Sequence, residues 1–280
     1  MSSTPFLNYK KKREYLVCVD SDGCAIDSMD VKHMKCFGPC MIEQWNLQKH
    51  QDEILEKWNE INLYKMTRGI NRFLGLALCL KEVNQKICPI EDIVSLEEWV
   101  EKTDELSNTS IEKAAREIGS ICLEKAYQWS KAVNAAIQNL PEEEIRPFQG
   151  VKEQLKALHE SCDVVVVSSA NEEAVREEWK RFGLIEFVDL ILAQNAGSKR
   201  TCIEKMLSYG YDKEHVVMIR DALGDMEAAQ QNGIFYYPIL VKKEVISWGH
   251  IPEALQRIKD GDFAGEYQEI LKKEFVENLS

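Results

Sequence analysis

Five short apolar runs constrain the fold of this 280-residue chain more than any other feature of its sequence. Most are continuously apolar and rich in β-branched residues, as strands are when helices cover both faces of a parallel sheet. The runs are 15–19, 163–167, 188–192, 215–219 and 235–241. Helical patterns lie between the later runs at 151–160, 171–182, 199–208 and 225–232. This alternation predicts βαβ units with right-handed crossovers, and therefore an α/β fold with a parallel sheet.

A long segment without strand patterns, residues 28–146, separates the first run from the others. Its apolar residues recur at three- and four-residue spacing, which predicts about five or six amphipathic helices. The stretch PEEEIRPFQG (141–150), with two prolines and three consecutive acids, is typical of a linker that returns the chain to the sheet. We therefore expect an α/β core of residues 1–27 and 147–280, and an all-helical domain of residues 28–146 inserted after the first strand.

The composition is that of an ordinary globular protein, with 45% hydrophobic and 29% charged residues. A net charge of −12 disfavours nucleic acid and anionic membranes as partners. The nine cysteines include no CxxC pair, which disfavours a structural zinc site. Because the N-terminus has no signal-peptide pattern, we expect a cytoplasmic protein with reduced thiols.

Polar side chains follow four of the five runs. They are Asp20 and Asp22 after the first run, Ser168 and Ser169 after the second, Lys199 beyond the third, and Arg220, Asp221 and Asp225 after the fourth. The carboxyl ends of parallel strands share one edge of the sheet, where open α/β sheets bind their ligands. We therefore expect these side chains to lie close together.

Each position also has a purely structural explanation. The first two acids lie in the sequence DSDG, which is typical of a turn. Ser169 with Glu172 matches a helix capping box, and Lys199 suits the solvated start of a helix. The acids after the fourth run suit a helix N-terminus, whose dipole favours negative charge. The occurrence of all four sets of polar residues at one edge of the sheet favours a single ligand site over four unrelated structural features.

The segments VCVDSDG, VVVVSSAN, AGSKRTC and VVMIRDALGD, in this order, resemble the four motifs of the haloacid dehalogenase-like superfamily of phosphohydrolases. The resemblance spans nearly the whole chain. It implies a Rossmann-like sheet, with the helical insertion as the C1 cap that these enzymes carry after the first motif. The phosphoglucomutase-like branch is the most similar part of the superfamily.

The resemblance implies a role for each residue at the sheet edge. Asp20 would attack phosphorus and form an aspartyl phosphate, while Asp22 would serve as general acid and then general base. Ser168 and Lys199 would hold the phosphoryl oxygens. The implied cofactor is Mg²⁺, and its expected ligands are Asp20, the backbone carbonyl of Asp22, Asp221 and waters, with Asp225 as a further acid. The expected substrate-binding residues are Gly23 and Ser169 in the core, and Lys65, Arg68 and Arg72 in the cap.

Two positions depart from the superfamily pattern, and the three basic residues of the cap also have a purely structural explanation. Cys24 replaces the usual threonine, which we interpret as a packing change. Arg220 stands where glycine is usual, and its charge could compete with Mg²⁺, cover the phosphate site, point away from the site or add a phosphate contact. For the three basic residues of the cap, a solvated helix end is the structural alternative.

The sequence favours a Mg²⁺-dependent phosphatase of a small phosphorylated metabolite, because Asp22 can protonate a leaving oxygen. Two alternatives stay open. One is a sugar-phosphate mutase, which would use the same two aspartates. The other is a binding or regulatory protein of the same fold whose catalysis is weakened by Arg220.

Overall fold

The computed structural model describes residues 6–280, apart from the side chains of Asp225 and Glu227. Its strands are β1 (Tyr15–Val19), β2 (Ile26–Asp27), β3 (Arg146–Pro147), β4 (Cys162–Val167), β5 (Leu190–Leu192), β6 (Val216–Arg220) and β7 (Phe235–Pro238). Five of them form a parallel sheet in the order β5-β4-β1-β6-β7. The predicted α/β fold is confirmed, since all five sheet strands fall within or beside the predicted runs.

Strand β1 lies at the centre of the sheet, and its apolar residues from Leu16 to Val19 are fully buried. It pairs in register with both neighbours, so that Val19 lies opposite Val166 of β4 and Ile219 of β6. Strand β7 is shorter than predicted and ends at Pro238.

The chain divides into two compact units. The sheet unit comprises the residues up to Ser28 together with Ile145–Ser280, and the helical unit comprises Met29–Glu144. The short strands β2 and β3 pair antiparallel within the sheet unit, at the positions where the chain leaves it and returns. That the helical unit acts as a cap stays a prediction.

Seven α-helices build the helical unit. They are α1 (Met29–Lys32), α2 (Gly38–Trp45), α3 (Gln51–Asn59), α4 (Arg72–Lys86), α5 (Ile93–Lys102), α6 (Asn108–Ile118) and α7 (Ile121–Gln138). A π-helical turn, His33–Phe37, joins α1 to α2, and another, Glu60–Tyr64, extends α3. The unit therefore has six continuous helical segments around its own core, whose centre includes the buried rings of Trp58, Phe73 and Trp129.

From residue 6 onward, the sheet unit has seven α-helices of its own. They are α8 (Val151–Ser161), α9 (Glu172–Arg181), α10 (Lys199–Leu207), α11 (Leu223–Asn232), α12 (Glu244–Gly249), α13 (Ile251–Asp260) and α14 (Glu266–Asn278). The predicted capping box of Ser169 with Glu172 is wrong. Asn171 is the N-cap of α9, because its side-chain oxygen accepts hydrogen bonds from the N–H groups of Glu173 and Ala174. Among the described residues, no helix combines the length and apolarity needed to cross a bilayer.

A buried carboxylate, Asp189, ties three parts of the sheet unit together just before β5. It accepts a hydrogen bond from the N–H of Val164 at 2.9 Å and one from Lys12 at 2.7 Å, and His159 lies 3.3 Å away. Burial raises the pKa of this carboxyl, but the hydrogen bonds from Lys12 and Val164 and the charge of His159 outweigh burial. The pKa of Asp189 therefore lies below its ordinary value.

We expect Asp189→Asn to lower the free energy of unfolding at pH 7 by about 1–3 kcal/mol. Most of the loss should come from replacing the charged acceptor of the Val164 N–H with a weaker neutral one, since Lys12 is exposed and its ion pair is screened by solvent. A lowered carboxyl pKa stabilises the fold above the ordinary pKa of about 4, and the effect disappears as the pH falls through the lower folded pKa. Urea denaturation of both proteins at neutral and acid pH measures this.

The matched control is Asp104→Asn, which makes the same change at an exposed loop position. A deficit for Asp189→Asn that is unchanged at acid pH would contradict the assignment of a lowered pKa.

Candidate functional site

The site is located by the order in which the chain builds the sheet. After β1, the chain adds β4 and β5 on one side, and then β6 and β7 on the other. The direction reverses between β1 and β6, and open α/β sheets bind their ligands at such a reversal. Asp20 follows β1 directly, while Arg220 and Asp221 stand at the end of β6. Three charged residues therefore meet at the expected position.

Asp20 is the centre of this group and is only 3% exposed. Its N–H donates to the carbonyl of Ile219 at 3.1 Å, which continues the pairing of β1 with β6 by one residue. Lys199 donates a hydrogen bond to Oδ1 of Asp20 at 2.8 Å. Nε of Arg220 lies 2.9 Å from Oδ2, in an ion pair that is not aligned as a hydrogen bond. Both oxygens of Asp20 are therefore in contact with positive charge.

Arg220 also lies near the second carboxylate of this edge. Its Nε is 3.9 Å from Oδ1 of Asp221, and both residues are buried. Burying an ion away from water is costly unless it is paired with an opposite charge. These ion pairs therefore offset the cost of burying the charged side chains. Asp20, Asp221, Lys199 and Arg220 together carry no net charge.

Lys199 reaches Asp20 from the first residue of α10. Ser198 caps this helix, since its hydroxyl accepts a hydrogen bond from the N–H of Thr201 at 3.2 Å. Lys199 itself is 8% exposed, so the alternative of a solvated lysine is wrong. Its partner is 179 residues away in the chain.

The turn after β1 is held tightly by its own backbone and by two tryptophans. Gly23 has φ +74°, a left-handed conformation that favours glycine. Nε1 of Trp179, on α9, donates to the hydroxyl of Ser21 at 2.8 Å. Nε1 of Trp248, on α12, donates to the carbonyl of Cys24 at 2.8 Å. The sequence analysis missed both tryptophans, because no local pattern connects them to a turn more than 150 residues away.

Asp22 lies partly buried in the same turn and contacts a residue that the sequence analysis missed. The hydroxyl of Ser28 donates a hydrogen bond to Oδ1 of Asp22. Ser28 is fully buried, and its own N–H is bonded to the carbonyl of Ile26. The hydrogen bond from Ser28, which directly follows β2, therefore fixes the position of the Asp22 carboxylate relative to that strand.

The two serines after β4 differ in exposure. Ser168 is 4% exposed, its N–H donates to the carbonyl of Leu192, and its hydroxyl accepts from the N–H of Ala170 at 3.1 Å. Because β4 is a neighbour of β1, Ser168 stands at the same edge as Asp20. Ser169 is exposed, and its part in substrate binding stays a prediction.

Cys24 is fully buried, and its thiol donates to the carbonyl of Ile219 at 3.4 Å. Burial, together with the nearby charges of Asp20 and Asp221, raises the pKa of this thiol well above its ordinary value. The thiol is therefore neutral and poorly reactive, in agreement with a packing role.

Three basic residues were predicted to bind an anionic group of the substrate, and all three lie in the helical unit. Lys65 is exposed and lies 3.4 Å from Glu60, as expected for a solvated helix end. Arg68 is 2% exposed and donates to the carbonyl of Leu63, so a solvated position is wrong for this residue. The substrate-binding role of all three stays a prediction.

Arg72 is the third of these residues, and it connects α4 to α7. It donates to the hydroxyl of Ser130 at 3.1 Å and to Asn134 at 2.7 Å, and its guanidinium lies over the ring of Phe37. Burial lowers its pKa from the ordinary value. Within the helical unit, the Arg72 side chain therefore holds α4 against α7.

The described donors do not fit the implied Mg²⁺ ion. Both oxygens of Asp20 contact cationic side chains, and Asp221 lies beside Arg220. The side chain of Asp225 lies outside the described residues. Within residues 6–280, as far as they are described, no three His, Cys, Asp or Glu side chains are grouped to hold a metal ion. The cation that contacts Asp20 and Asp221 is the guanidinium of Arg220.

Comparison with known families gives one match. The family model described as haloacid dehalogenase-like hydrolase matches residues 92–239, which is just over half of the chain. The matched part includes β4, β5, β6 and β7 and begins after Asp20. Among curated protein sequences, none matches this chain.

Several solved structures resemble the chain at low sequence identity. A predicted phosphatase from Clostridium acetobutylicum is 15% identical with a TM-score of 0.48, over 89% of this chain and 100% of that one. A haloacid dehalogenase-like hydrolase from Streptococcus pneumoniae is 13% identical with a TM-score of 0.44, over 80% and 83%. A hydrolase of the same family from Deinococcus radiodurans, with bound phosphate and sodium, is 15% identical with a TM-score of 0.45, over 81% of each chain.

We expect iodoacetamide to label the partly buried Cys40 and Cys88 in the folded protein and to leave Cys24 unlabelled. A thiol that is fully buried and has a raised pKa offers almost no thiolate for alkylation. Peptide mass spectrometry after labelling at mildly alkaline pH measures this, with protein unfolded in guanidinium chloride as the control. Labelling of Cys24 as fast as Cys88 would show that the turn after β1 opens readily.

Proposed function

Because the chain belongs to the haloacid dehalogenase-like hydrolases, we propose that it hydrolyses a phosphate monoester of a small molecule through a phosphorylated Asp20. The observation that supports this most directly is the double contact of Asp20 with Lys199 and Arg220. A carboxylate between two buried cations lies where a dianionic phosphate is attracted. Phosphate arriving at these cations brings its phosphorus close to a carboxylate oxygen.

The first step transfers the phosphoryl group to the protein. An oxygen of Asp20 forms a bond to phosphorus while the bond between phosphorus and the leaving oxygen breaks. Asp22, in its carboxylic acid form, donates its proton to that oxygen, and the alcohol leaves. The hydrogen bond from Ser28 keeps the Asp22 carboxyl in place during this transfer.

The second step returns the protein to its starting state. Asp22, now a carboxylate, takes a proton from water while the water oxygen bonds to phosphorus and the bond to Asp20 breaks. Inorganic phosphate leaves, Asp20 is again a carboxylate and Asp22 is again protonated. Both steps need Asp22 on the same side of the turn as Asp20, a spacing that DSDG provides.

Three side chains at the same edge offer donors to the phosphoryl oxygens. Lys199 and Arg220 supply charged N–H groups, and Ser168 supplies a hydroxyl. Charged donors to phosphate are stronger than neutral ones, and fixed donors stabilise the charge that spreads over the phosphoryl oxygens during transfer. No step here uses Mg²⁺, because the described donors do not fit that ion.

We expect Asp20→Asn to lower hydrolysis of p-nitrophenyl phosphate, and of a panel of smaller phosphate monoesters, by at least about a thousandfold. An amide oxygen is a poor nucleophile and cannot form the acyl phosphate. Release of inorganic phosphate, with Mg²⁺ and separately with EDTA, is the measurement, and it distinguishes hydrolysis from transfer to a second hydroxyl of the substrate. Acid-quenched wild-type protein should yield a phosphorylated peptide that contains Asp20.

The matched control is Asp104→Asn, which should retain wild-type rates because that residue is exposed in a loop of the helical unit. Full activity of Asp20→Asn would show that another group is the nucleophile.

A second function has one specific observation in its favour, the 2.9 Å approach of Arg220 to Asp20. A permanent ion pair makes a carboxylate a weaker nucleophile, so the protein would bind phosphate compounds without turnover. This function predicts that Arg220→Gly raises phosphate release above that of the wild type. Unchanged or lower release in Arg220→Gly would reject it.

A further inference from the structure

Arg220 occupies a particular place among the charges at the sheet edge. Its Nε lies 2.9 Å from Asp20 and 3.9 Å from Asp221. Both carboxylates are almost fully buried, and the Arg220 side chain is 9% exposed. Arg220 is therefore a cation that already lies within 4 Å of both carboxylates.

The backbone explains why the guanidinium is found there. Strands β1 and β6 pair in register, with Val19 opposite Ile219, so Asp20 and Arg220 are the next neighbours along the two strands. The carbonyl of Arg220 accepts hydrogen bonds from the N–H of Ile239 and the hydroxyl of Tyr236, which hold its backbone from the β7 side. The arginine is therefore part of the sheet edge and not of a loop that could carry it away.

The charge balance leaves little room for a second cation. Asp20 and Asp221 contribute two negative charges, and Lys199 and Arg220 two positive ones. A guanidinium stays protonated under all ordinary conditions, so Arg220 cannot give up its charge to admit a metal. Before phosphate binds, a divalent ion among these four groups would add two positive charges to a buried cluster that is already neutral.

We propose that Arg220 is the built-in cation of this site, so that phosphate binds, and its esters are hydrolysed, without a divalent metal. The inference deepens the proposed function and rests on it for the nature of the ligand. Arginine suits this task, because its planar group of five N–H donors matches the geometry of phosphate oxygens. Together with Lys199, it would offset part of the negative charge of the phosphoryl group and of the two carboxylates.

The experiment measures binding of inorganic phosphate by isothermal titration calorimetry, in EDTA and in excess Mg²⁺. The full-length wild type should bind phosphate with the same Kd in both, and should show no heat of Mg²⁺ binding in the absence of phosphate. Arg220→Met, which removes the charge but keeps a long side chain, should bind phosphate about ten- to a hundredfold more weakly in EDTA. Added Mg²⁺ should restore that binding, because Asp20 and Asp221 are then open to it.

The matched control is Arg220→Lys, which keeps the positive charge and should still bind phosphate in EDTA, while losing the planar donor geometry. If Arg220→Met does not fold, as judged by circular dichroism, Arg220→Lys and the Mg²⁺ titration of the wild type still decide the question. Wild-type phosphate binding that requires Mg²⁺, or unweakened binding by folded Arg220→Met in EDTA, would overturn the inference.

Failure of the inference and failure of the proposed function give different results. Ester hydrolysis that occurs only with Mg²⁺ and depends on Asp20 rejects the inference and keeps the function. Metal-free phosphate binding without hydrolysis of any ester keeps Arg220 as the built-in cation for binding and rejects the function. A wild type that binds no phosphate under either condition rejects both.

Discussion

The buried carboxylate of Asp20 sets the conditions for the rest of this site. It ends a strand that lies at the centre of the sheet, so water cannot compensate its charge. Removing one partner of a buried ion pair costs about 3–5 kcal/mol, because the other charge is left without compensation. Lys199 and Arg220 meet this requirement from two different elements, the start of α10 and the end of β6. The position of Asp20 thus connects three parts of the sheet unit.

The same pairing connects stability with the proposed chemistry. Cations that stabilise a buried carboxylate are already desolvated and oriented, so they can bind a phosphoryl group with little reorganisation. The turn that carries Asp22 is similarly constrained, since Gly23 permits its left-handed backbone and two tryptophan N–H groups hold its atoms. Such a site combines rigid groups around the position where phosphorus would lie. In a site of this kind, activity requires an added metal ion only if a metal, and not Arg220, is the cation beside Asp20.

Much of the fold could be predicted because it depends on patterns that are local in the chain. Continuous apolar runs predicted the sheet strands, and the spacing of apolar residues predicted the helical insertion. Local signals were less reliable where two explanations compete. Ser169 matches a capping box, yet Asn171 caps α9, since its side-chain oxygen accepts from the N–H groups of Glu173 and Ala174. The pairing of Trp179 with Ser21 had no signal at all, since it joins residues 158 positions apart.

The sequence by itself determined the fold class and the family motifs, and it predicted that Asp20, Lys199, Arg220 and Asp221 lie close together, because the carboxyl ends of parallel strands share one edge of a sheet. It also showed that Arg220 departs from the motif, but left four consequences open. Only the tertiary structure decided that Lys199 is buried on Asp20, and that Arg220 lies between Asp20 and Asp221. The reason is physical: the direction of a charged side chain depends on the charges around it, and these come from distant parts of the chain.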